Sequence, residues 1–479
     1  MATTMIRTYP LLIGGAWKEG GEPLDVINPH TGEIVGRTFQ ADAATLEEAV
    51  QATVRAFETM RRLPAYERAA ILRAISEGIN AQKEEIARLM TLESGKPIRD
   101  ARIETERAVF TFRQASIEAE RLGGEVIPLD LMPSSKGRLG ITRRVPVGPV
   151  LGISPFNFPL NLAAHKVAPA IAAGCSILLK PPSADPLTML TVGRIITDAG
   201  IPAGAVNIVP TSRSLGDRLV QDDRFKLLTF TGSMDVGWRM KTMSGKKKVV
   251  LELGGNAAVI VDKDADLELA AKRISTGAFS YAGQMCISVQ RVYVHEAVAD
   301  QFLSRLKANT EALKLGDPLD EATDVGPMID EKALERTAQW VQEAVSDGAE
   351  IVTGGKRQGR FFQPTILTNV KRESKVCSRE VFAPVVDVFT FRDFDDALRG
   401  VNDSAYGLQA GVFTQNLQHA FNAFNELEVG GVIVNDISSY RIDHMPYGGV
   451  KESGLGREGL KYAIEDMTEL RLMALNSVL

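Results

Sequence analysis

One cysteine in the chain has surroundings that suit chemistry. Cys286 lies in "YAGQMCISVQ", residues 281–290, after a glycine turn and before an apolar segment typical of a strand. No histidine stands within eight residues of it on either side. A buried, inert cysteine is the commonest case, but a cysteine in such a turn can also face a cleft and act as a nucleophile.

The other two cysteines suit structural roles. Cys175, in "AAGCSILLK", is predicted to fill a core, and Cys377, in "ESKVCSRE", is predicted to be a partly exposed bystander. A sparse, odd number of cysteines does not suggest a disulfide scaffold, and there is no C-x-x-C pair or Cys/His cluster that would suggest a metal site. We therefore predict no metal, and a reducing, cytoplasmic location.

Two polar residues near the ends of predicted strands could act together with Cys286. Glu252 lies at the end of "VVLEL", before Gly254-Gly255-Asn256, and Asn157 lies in "SPFNFP", after the first strand of the predicted sheet. A carboxylate in an apolar strand is costly to bury without a function or a partner, and an amide in that loop could donate to an oxyanion. The alternatives are a salt-bridged Glu252 and an Asn157 that satisfies turn backbone.

Two further strand ends could bind a phosphorylated ligand. Lys180 ends "SILLK", from where its amine could reach a ribose or phosphate or extend into solvent. Gly232 and Ser233 end "FTGS" and lead into a helix whose N-terminus could face a pyrophosphate.

The segment "GLGREG", residues 454–459, matches the dinucleotide fingerprint G-x-G-x-x-G. The fingerprint requires a preceding strand and a following β-α-β unit. Here the preceding residues, "YGGVKES", are polar, and the chain ends 20 residues later. We predict a glycine-rich turn before a last helix instead.

The elements that must position these residues follow an alternating pattern. From Val145 to Leu253, five apolar runs alternate with helix-length segments at 160–173, 187–199, 214–221 and 234–243. This alternation predicts a doubly wound, mostly parallel sheet, and residues 45–122 predict long amphipathic helices.

The alternation restarts after residue 256 and predicts a second α/β unit. Helices are expected at 266–282 and 297–313, and strands at 287–294, 350–353, 385–391, 408–414 and 431–434, after a first strand "AAVIVD". Residues 120–146 and 467–476 fit neither unit and predict a small, separate β element.

Composition excludes several classes of protein. The chain has 479 residues, 44% of them hydrophobic, and a net charge of −5 with no basic block, so neither nucleic acid nor an anionic membrane is an expected partner. Five prolines interrupt the weakly polar stretch 145–179, which predicts buried strands rather than a membrane span. The N-terminus lacks the apolar region of a signal peptide.

Eight short motifs occur in the order and at the spacing of one known family. They are "SPFNFP", "LLKPP", "FTGS", "LELGGN", "GQMC", "EVFAP", "NDSAYGL" and "PYGGVKESGLGREG". Together they resemble the motif series of the NAD(P)-dependent aldehyde dehydrogenase superfamily, over a match that runs from about residue 10 to the C-terminus. The segment "YRIDHMPYGGVKESGLGREG", with "TDVGPMID" upstream, is most similar to the lactaldehyde-dehydrogenase-like branch.

The resemblance implies catalytic roles for three residues. Cys286 would be the nucleophile, Glu252 the base that activates a deacylating water, and Asn157, with the backbone N–H of Cys286, the oxyanion hole. The implied reaction oxidises a short-chain, hydroxy- or anionic aldehyde to its acid through a thiohemiacetal and a thioester. The alternatives are a CoA-acylating semialdehyde dehydrogenase, whose family members typically lack a glutamate at position 252, and a catalytically silent protein that kept the fold.

The resemblance also implies that the cofactor is NAD or NADP. Lys180 would bind the adenosine ribose, Ser233 the pyrophosphate and Glu380 the nicotinamide ribose, with Phe382 beside the nicotinamide. The complete predicted cofactor set is Phe156, Lys180, Ser183, Gly232, Ser233, Glu380 and Phe382.

Two positions depart from the family pattern. Ser183 replaces a frequent acidic residue, which removes repulsion toward a 2′-phosphate, so NADP is an acceptable cofactor. Ala383 replaces the glycine of Glu-x-Phe-Gly-Pro, which puts the placement of Glu380 and Phe382 in question.

Residues around the nucleophile are predicted to contact the small aldehyde substrate. Met285 and Ile287 flank Cys286, Phe158 follows Asn157, and Arg441 in "SSYRIDH" could contact a hydroxyl or an anionic group. The alternative for Arg441 is a surface or subunit-contact arginine.

The predicted fold is therefore an α/β, aldehyde-dehydrogenase-like arrangement of two doubly wound parallel-sheet domains and a small β bridging element. The expected cofactor-binding domain comprises 1–127 and 147–253, the catalytic domain 254–450, and the oligomerisation element 128–146 and 467–479. Because exposed strand edges need partners, a homodimer or homotetramer is expected.

Overall fold

The structure, a computed structural model, describes residues 6–476. Its helices are α1 (Ala43–Met60), α2 (Ala65–Ala81), α3 (Lys83–Ser94), α4 (Ile98–Arg121), α5 (Asn161–Ala173), α6 (Leu187–Asp198), α7 (Arg213–Gln221), α8 (Met234–Met243), α9 (Leu267–Phe279), α10 (Ala299–Glu311), α11 (Glu331–Ser346), α12 (Lys375–Ser378), α13 (Phe394–Asn402), α14 (Leu417–Glu426) and α15 (Leu460–Asp466).

The strands are between two and nine residues long. They are β1 (Leu11–Ile13), β2 (Ala16–Lys18), β3 (Glu22–Ile27), β4 (Ile34–Gln40), β5 (Val126–Pro128), β6 (Arg138–Pro146), β7 (Val150–Ile153), β8 (Ile177–Lys180), β9 (Val206–Ile208), β10 (Leu227–Thr231), β11 (Lys248–Glu252), β12 (Ala258–Val261), β13 (Arg291–His295), β14 (Glu350–Thr353), β15 (Arg357–Gln358), β16 (Phe361–Phe362), β17 (Thr365–Thr368), β18 (Val385–Phe391), β19 (Tyr406–Gly407), β20 (Gln409–Phe413), β21 (Gly431–Val434), β22 (Val450–Lys451), β23 (Gly454–Leu455) and β24 (Thr468–Asn476).

The first large sheet has the order β2-β1-β9-β8-β7-β10-β11-β23. Its five central strands are parallel, with the antiparallel pair β1 and β2 at one edge and the antiparallel β23 at the other. Successive residues of β8 face opposite cores: Ile177 and Leu179 pack into one and Leu178 into the other. Helices therefore cover both faces, which confirms the doubly wound arrangement predicted from the alternation.

The second large sheet has the order β14-β17-β18-β13-β12-β20-β21, and all neighbours are parallel except β14 and β17. Val259 and Val261 of β12 face one core, and Ala258 and Ile260 face another. The sheet is also doubly wound, as the restarted alternation predicted.

A third sheet, β24-β6-β5, is antiparallel, and β24 pairs with β6 from Thr468↔Pro146 to Asn476↔Arg138. The two segments that fitted neither α/β unit therefore pair with each other. Residues 1–5 and 477–479, at the ends of the predicted domains, lie outside the described residues. The domain boundaries themselves stay a prediction.

Two predicted elements have different bounds in the structure. The helix predicted over 266–282 ends at Phe279, because Tyr281 and Ala282 have left-handed backbones with φ of 49° and 53°. The strand predicted over 287–294 begins only at Arg291. In the residues before it, Val289 N–H donates to Gly277 and Gln290 N–H to Ala257 instead of forming a ladder.

The prediction for Cys377 was wrong, since its side chain is buried in the second core. Cys175, Cys286 and Cys377 are all free thiols. Over residues 6–476, no group of three or more His, Cys, Asp or Glu side chains could hold a metal ion. No helix in the same range is long and apolar enough to cross a membrane.

Candidate active site

The candidate residues lie where the edges of the two large sheets meet. Glu252 ends β11, Lys180 ends β8 and Asn157 follows β7, so all three lie at the carboxyl edge of the first sheet. Cys286 precedes β13 and Glu380 precedes β18, at the amino edge of the second sheet. Carboxyl edges of parallel sheets are where ligands bind in α/β proteins.

Two glycines allow these edges to approach closely. A Cβ at Gly255 would lie 2.6 Å from the carbonyl oxygen of Cys286, and one at Gly254 would lie 2.3 Å from Oε2 of Glu380. Such separations are too short for carbon against oxygen. The sequence "GGN" therefore brings the end of β11 against both the cysteine turn and the glutamate.

An unusual turn presents Cys286. Tyr281, Ala282 and Gly283 are consecutive residues with positive φ, and a Cβ at Gly283 would lie 2.3 Å from the carbonyl oxygen of Ala383. The buried Gln284 fixes the turn, because its side chain accepts from Ile329 N–H at 2.9 Å. The turn thereby holds Cys286 at the start of the segment that leads into β13.

Cys286 is half-buried and lines two cavities at once. The first, here named the arginine cavity, is lined by Lys96, Asp100, Ile103, Glu104, Arg107, Phe158, Asn161, Leu162, Ser280, Tyr281, Met285, Cys286, Ile287, Ser439, Arg441 and Tyr447. The second, the glutamate cavity, is lined by Pro155, Phe156, Asn157, Leu162, Thr231, Gly232, Ser233, Glu252, Leu253, Gly254, Cys286, Arg336, Glu380 and Phe382. One residue can thus meet different molecules from two sides.

The environment of Cys286 favours the protonated thiol at rest. Burial raises its pKa to about 11, and a hydrogen bond with the Tyr447 hydroxyl, 3.0 Å from Sγ, opposes that rise. The thiol must therefore be activated when it reacts, because the thiolate is the nucleophile.

Asn157 is held beside Cys286 from two directions. Its side-chain Nδ2 donates to the carbonyl oxygen of Gln284 at 3.0 Å, and its own carbonyl oxygen accepts from Nζ of Lys96 at 2.7 Å. An amide nitrogen has two protons, so one remains for a ligand in the cavity. Within residues 6–476, the backbone N–H of Cys286 donates no hydrogen bond and is also free for a ligand.

A buried ion pair supports the Asn157 loop. Lys96 pairs with Glu104, and both side chains are buried. The other oxygen of Glu104 accepts from the N–H groups of Leu160 and Asn161 at 3.0 Å each, at the start of α5. Lys96 and Glu104 therefore hold the loop at Asn157 and at the start of α5. The sequence did not reveal them, because both lie in a region rich in charged residues, Glu104 on α4 and Lys96 between α3 and α4.

Glu252 is 3% exposed, and its Oε1 has no hydrogen-bond partner among the described residues. Burial, together with the nearby charge of Glu458, raises its pKa well above the usual carboxyl value. A buried carboxyl group with a raised pKa and an unpartnered oxygen is a candidate for proton transfer.

Glu458, in the "GLGREG" segment, is a site residue that the sequence did not reveal. Lys166 donates to its Oε1 at 3.3 Å and Arg441 to its Oε2 at 2.9 Å. Although burial acts in the opposite direction, these cations lower the pKa of Glu458 to about 2. The segment is the predicted turn before the last helix, but Gly454 and Leu455 also pair with β11 beside Glu252.

Glu380 and Phe382 line the glutamate cavity as a pair. Glu380 accepts from Gly255 N–H at 3.0 Å, and burial raises its pKa to about 7. The ring of Phe382 lies edge-on to Phe156 with centroids 5.8 Å apart. Ala383 has an ordinary negative φ and a buried side chain, so its methyl group is accommodated.

The remaining predicted cofactor residues lie along the same sheet edge. Ser233 caps α8 by position, but its hydroxyl makes no capping hydrogen bond, which leaves the first N–H groups of the helix open to an anion. Gly232 and Ser233 line the glutamate cavity, whereas Lys180 and the exposed Ser183 line neither cavity. The methylene groups of Lys180 pack against Gly216 of α7.

Phe158, Met285, Ile287 and Arg441 all line the arginine cavity. The side chain of Arg441 is 5% exposed, so the surface alternative is wrong. Arg107, which sequence reasoning missed, also lines this cavity and donates to Asp443 at 2.7 and 3.1 Å. In the sequence, Arg107 is one of many arginines in a predicted amphipathic helix, and nothing distinguishes it from the others.

Comparisons with known proteins agree with this architecture. The sequence model described as "Aldehyde dehydrogenase family" matches residues 17–473. The chain belongs to the aldehyde dehydrogenase family, with its α/β fold, and NAD or NADP is the cofactor.

Two curated relatives are similar over nearly their whole length. The 3-sulfolactaldehyde dehydrogenase of Priestia aryabhattai is 45% identical over 99% of this chain and 99% of its own. The lactaldehyde dehydrogenase of Methanocaldococcus jannaschii is 40% identical over 97% of this chain and 100% of its own.

Two solved structures have the same fold. Aldehyde dehydrogenase 21 from Physcomitrella patens, in complex with the reaction product succinate, has a TM-score of 0.98 and 44% identity, with 99% of each chain covered. Glyceraldehyde-3-phosphate dehydrogenase GapN from Methanocaldococcus jannaschii, complexed with NADP, has a TM-score of 0.91 and 40% identity over 95% of this chain and 99% of its own.

Proposed function

We propose that the protein oxidises a short aldehyde with an anionic group to the corresponding carboxylic acid. The observation that carries the proposal is that Cys286 lines two cavities, one of which is also lined by Arg107 and Arg441. An aldehyde could approach the sulfur from the arginine cavity while a nicotinamide occupies the other.

In this mechanism Cys286 attacks the carbonyl carbon of the aldehyde as a thiolate. The free Nδ2 proton of Asn157 and the backbone N–H of Cys286 would donate to the oxygen as it becomes negative. Lys96 orients Asn157 through the 2.7 Å hydrogen bond to its carbonyl oxygen. A covalently held substrate stays in place for the oxidation step.

Glu252 would act as the general base for hydrolysis of the thioester. Its burial and unpartnered Oε1 support this role, because a carboxyl group with a raised pKa is a stronger base than an ordinary carboxylate once it is ionised. A glutamate at this position favours water over CoA as the acceptor of the acyl group.

Residues of the glutamate cavity fit the cofactor that the family uses. Glu380 would bind the nicotinamide ribose, Phe156 and Phe382 would lie beside the nicotinamide ring, and the open N-terminus of α8 would bind the pyrophosphate. Lys180 and Ser183 would meet the adenosine end, further along the sheet. When bound, NAD(P) supplies the acceptor for hydride.

Charge in the arginine cavity supports an anionic substrate. The side chain of Arg107 is 24% exposed and forms an ion pair with Asp443. Arg441 lies near the same carboxylate, 3.8 Å away. Similar proteins point to the same kind of substrate. Two are named for 3-sulfolactaldehyde and glyceraldehyde 3-phosphate, and a third holds succinate. Each of these compounds has an anionic group on a short carbon chain. Phe158, Met285 and Ile287 would cover the rest of the substrate.

A panel of aldehydes tests the proposal. Reduction of NAD(P) is measured with succinate semialdehyde, phosphonoacetaldehyde, lactaldehyde, glycolaldehyde and simple alkanals, using wild type and Arg107→Met. Since a hydrogen bond to a charged group contributes about 1.5–3 kcal/mol, the variant should lose roughly 10- to 100-fold in kcat/KM on the anionic members.

The neutral aldehydes should lose much less with this variant, and Arg113→Met is the matched control. Arg113 lies on the same helix, exposed and outside the cavity. An equal loss on neutral and anionic aldehydes would exclude anion recognition by Arg107. Arg441 is the less suitable residue to replace first, because its removal would leave Glu458 without one of its cations.

We also propose that the three-stranded sheet forms a homodimer or homotetramer contact. Leu470, Leu472 and Met473 of β24 are more than half exposed, although they are apolar. Such exposure on a strand favours a partner. Light scattering on the purified protein should give twice or four times the mass of one chain, and a monomer would contradict the proposal.

A further inference from the structure

Tyr447 lies against the candidate nucleophile, with its hydroxyl oxygen 3.0 Å from Sγ of Cys286. We propose that Tyr447 is a further catalytic residue, whose hydroxyl donates a hydrogen bond to the sulfur of Cys286 while that sulfur carries negative charge. The inference rests on the proposed function, in which Cys286 is the nucleophile. It also gives this cysteine a specific partner in place of a histidine.

The position of Tyr447 is fixed by backbone and packing. Its N–H donates to the carbonyl oxygen of Glu458 at 3.0 Å, and its own carbonyl oxygen accepts from Glu458 N–H at 2.6 Å. The side chain is 3% exposed and packs with Ile287 and Leu408 around the cysteine. Within residues 6–476, Sγ is the hydroxyl's only hydrogen-bond partner.

The other charged groups that face Cys286 do not replace this donor. They are Glu252 and Glu380, which disfavour a thiolate when they are ionised, and Arg441, which favours it without a hydrogen bond to the sulfur. Burial raises the pKa of Tyr447 well above the usual phenol value, so its hydroxyl keeps its proton. A neutral, protonated phenol beside sulfur can donate whenever the sulfur is ionised.

Arg441 strengthens Tyr447 as a donor. Its guanidinium carbon lies 3.7 Å from the centroid of the Tyr447 ring, and Glu458 holds the guanidinium in place at 2.9 Å. A cation over the ring stabilises negative charge that develops on the phenol. The residues proposed to recognise the substrate anion and to assist the nucleophile are thus in direct contact.

Tyr447 assists the attack of Cys286 on the aldehyde without giving up its phenol proton. Cys286 gives its thiol proton to a base or to water, and the sulfur keeps the electron pair. That pair forms the bond to the carbonyl carbon, and the π electrons of the carbonyl move to its oxygen. Tyr447 donates to the sulfur before the bond forms and retains its own proton throughout.

Alkylation of the free enzyme tests this role without an aldehyde. The rate of reaction with iodoacetamide is measured against pH for wild type, Tyr447→Phe and Tyr440→Phe, with Cys286→Ala giving the background from the buried Cys175 and Cys377. A hydrogen bond to a charged group shifts an ionisation equilibrium by about tenfold or more. Tyr447→Phe should therefore raise the apparent pKa of the Cys286 thiol and slow its alkylation about tenfold at neutral pH. Tyr440, which is 44% exposed, is the matched control and should behave as wild type.

An unchanged alkylation pKa in Tyr447→Phe, with an active wild type, would overturn this inference and leave the proposed function standing. A raised pKa in a protein that oxidises no aldehyde would support the contact and refute the proposed function instead. If Tyr447→Phe does not fold, 3-fluorotyrosine at position 447 keeps the shape and makes the phenol more acidic. The thiol pKa should then fall below that of wild type, and an unchanged value would overturn the proposal.

Discussion

Replacing Glu252 with glutamine should separate the two halves of the reaction. The glutamine side chain in Glu252→Gln would have the shape of the neutral acid that burial favours, so the fold, the thiol and the cavities should be preserved. A general base contributes about 10²–10⁴-fold. Steady-state turnover should therefore fall by about that factor, because the thioester can no longer be hydrolysed quickly.

The first turnover should survive in this variant. Rapid mixing with an aldehyde and NAD(P) should give a burst of reduced cofactor about equal to the amount of enzyme, followed by the slow rate. Glu93→Gln is the matched control, since Glu93 is also a buried carboxyl with a raised pKa but lies outside both cavities. Unchanged turnover in Glu252→Gln, or a slow rate without a burst, would refute the assignment of Glu252 to hydrolysis.

Glu252→Gln should also change how the stability of the protein depends on pH. Because burial raises the pKa of Glu252, the folded protein retains a proton that the unfolded chain releases between the usual carboxyl pKa and the raised value. Stability therefore falls as pH rises through that window, and below it the group has no effect. Glutamine removes this cost, so the free energy of unfolding should increasingly favour the variant as pH rises. The reverse trend in denaturant melts would show that Glu252 is ionised in the folded protein.

Three further substitutions test the supporting residues. Asn157→Ala should lower turnover by about 10²–10³-fold, as expected for loss of one oxyanion donor, and steady-state kinetics with unchanged cofactor binding would check it. Ser183→Glu should lower the preference for NADP over NAD by about tenfold or more, since a like charge near a 2′-phosphate is repulsive; equal changes in KM for both cofactors would contradict this. Lys96→Met should cost about 3–5 kcal/mol in denaturant unfolding, because Glu104 loses its buried counter-charge, and a loss below about 1 kcal/mol would show that the pair is unimportant.

The strands and helices that carry the site were predictable from local pattern. Apolar runs of four to seven residues between helix-length segments gave the strands near Asn157, Lys180 and Glu252. Polar residues at the ends of such runs then stood out, because parallel strands end at a common edge. The prediction from local pattern was wrong for the stretch before Cys286. Tyr281 and Ala282 have left-handed backbones there, which neither residue type suggests.

The missing site residues depend on contacts between distant parts of the chain. Tyr447 is 161 positions from Cys286, and Glu458 is 292 positions from Lys166. No periodicity or spacing rule connects such pairs, because their proximity follows from how the two large sheets pack. Arg107 and Lys96 could not be predicted for another reason. Both lie in a region of helices rich in charged residues, where a side chain is usually exposed to solvent.

The pairing of β23 with β11 has a consequence for how the protein is made. Gly454 lies opposite Glu252, and Arg441, Tyr447 and Glu458 all come from the last part of the chain. During synthesis the earlier sheets can begin to form while these residues are still in or near the ribosome. Cys286 therefore emerges before the groups that surround it, and a nascent chain should be unable to capture aldehydes until translation is almost complete.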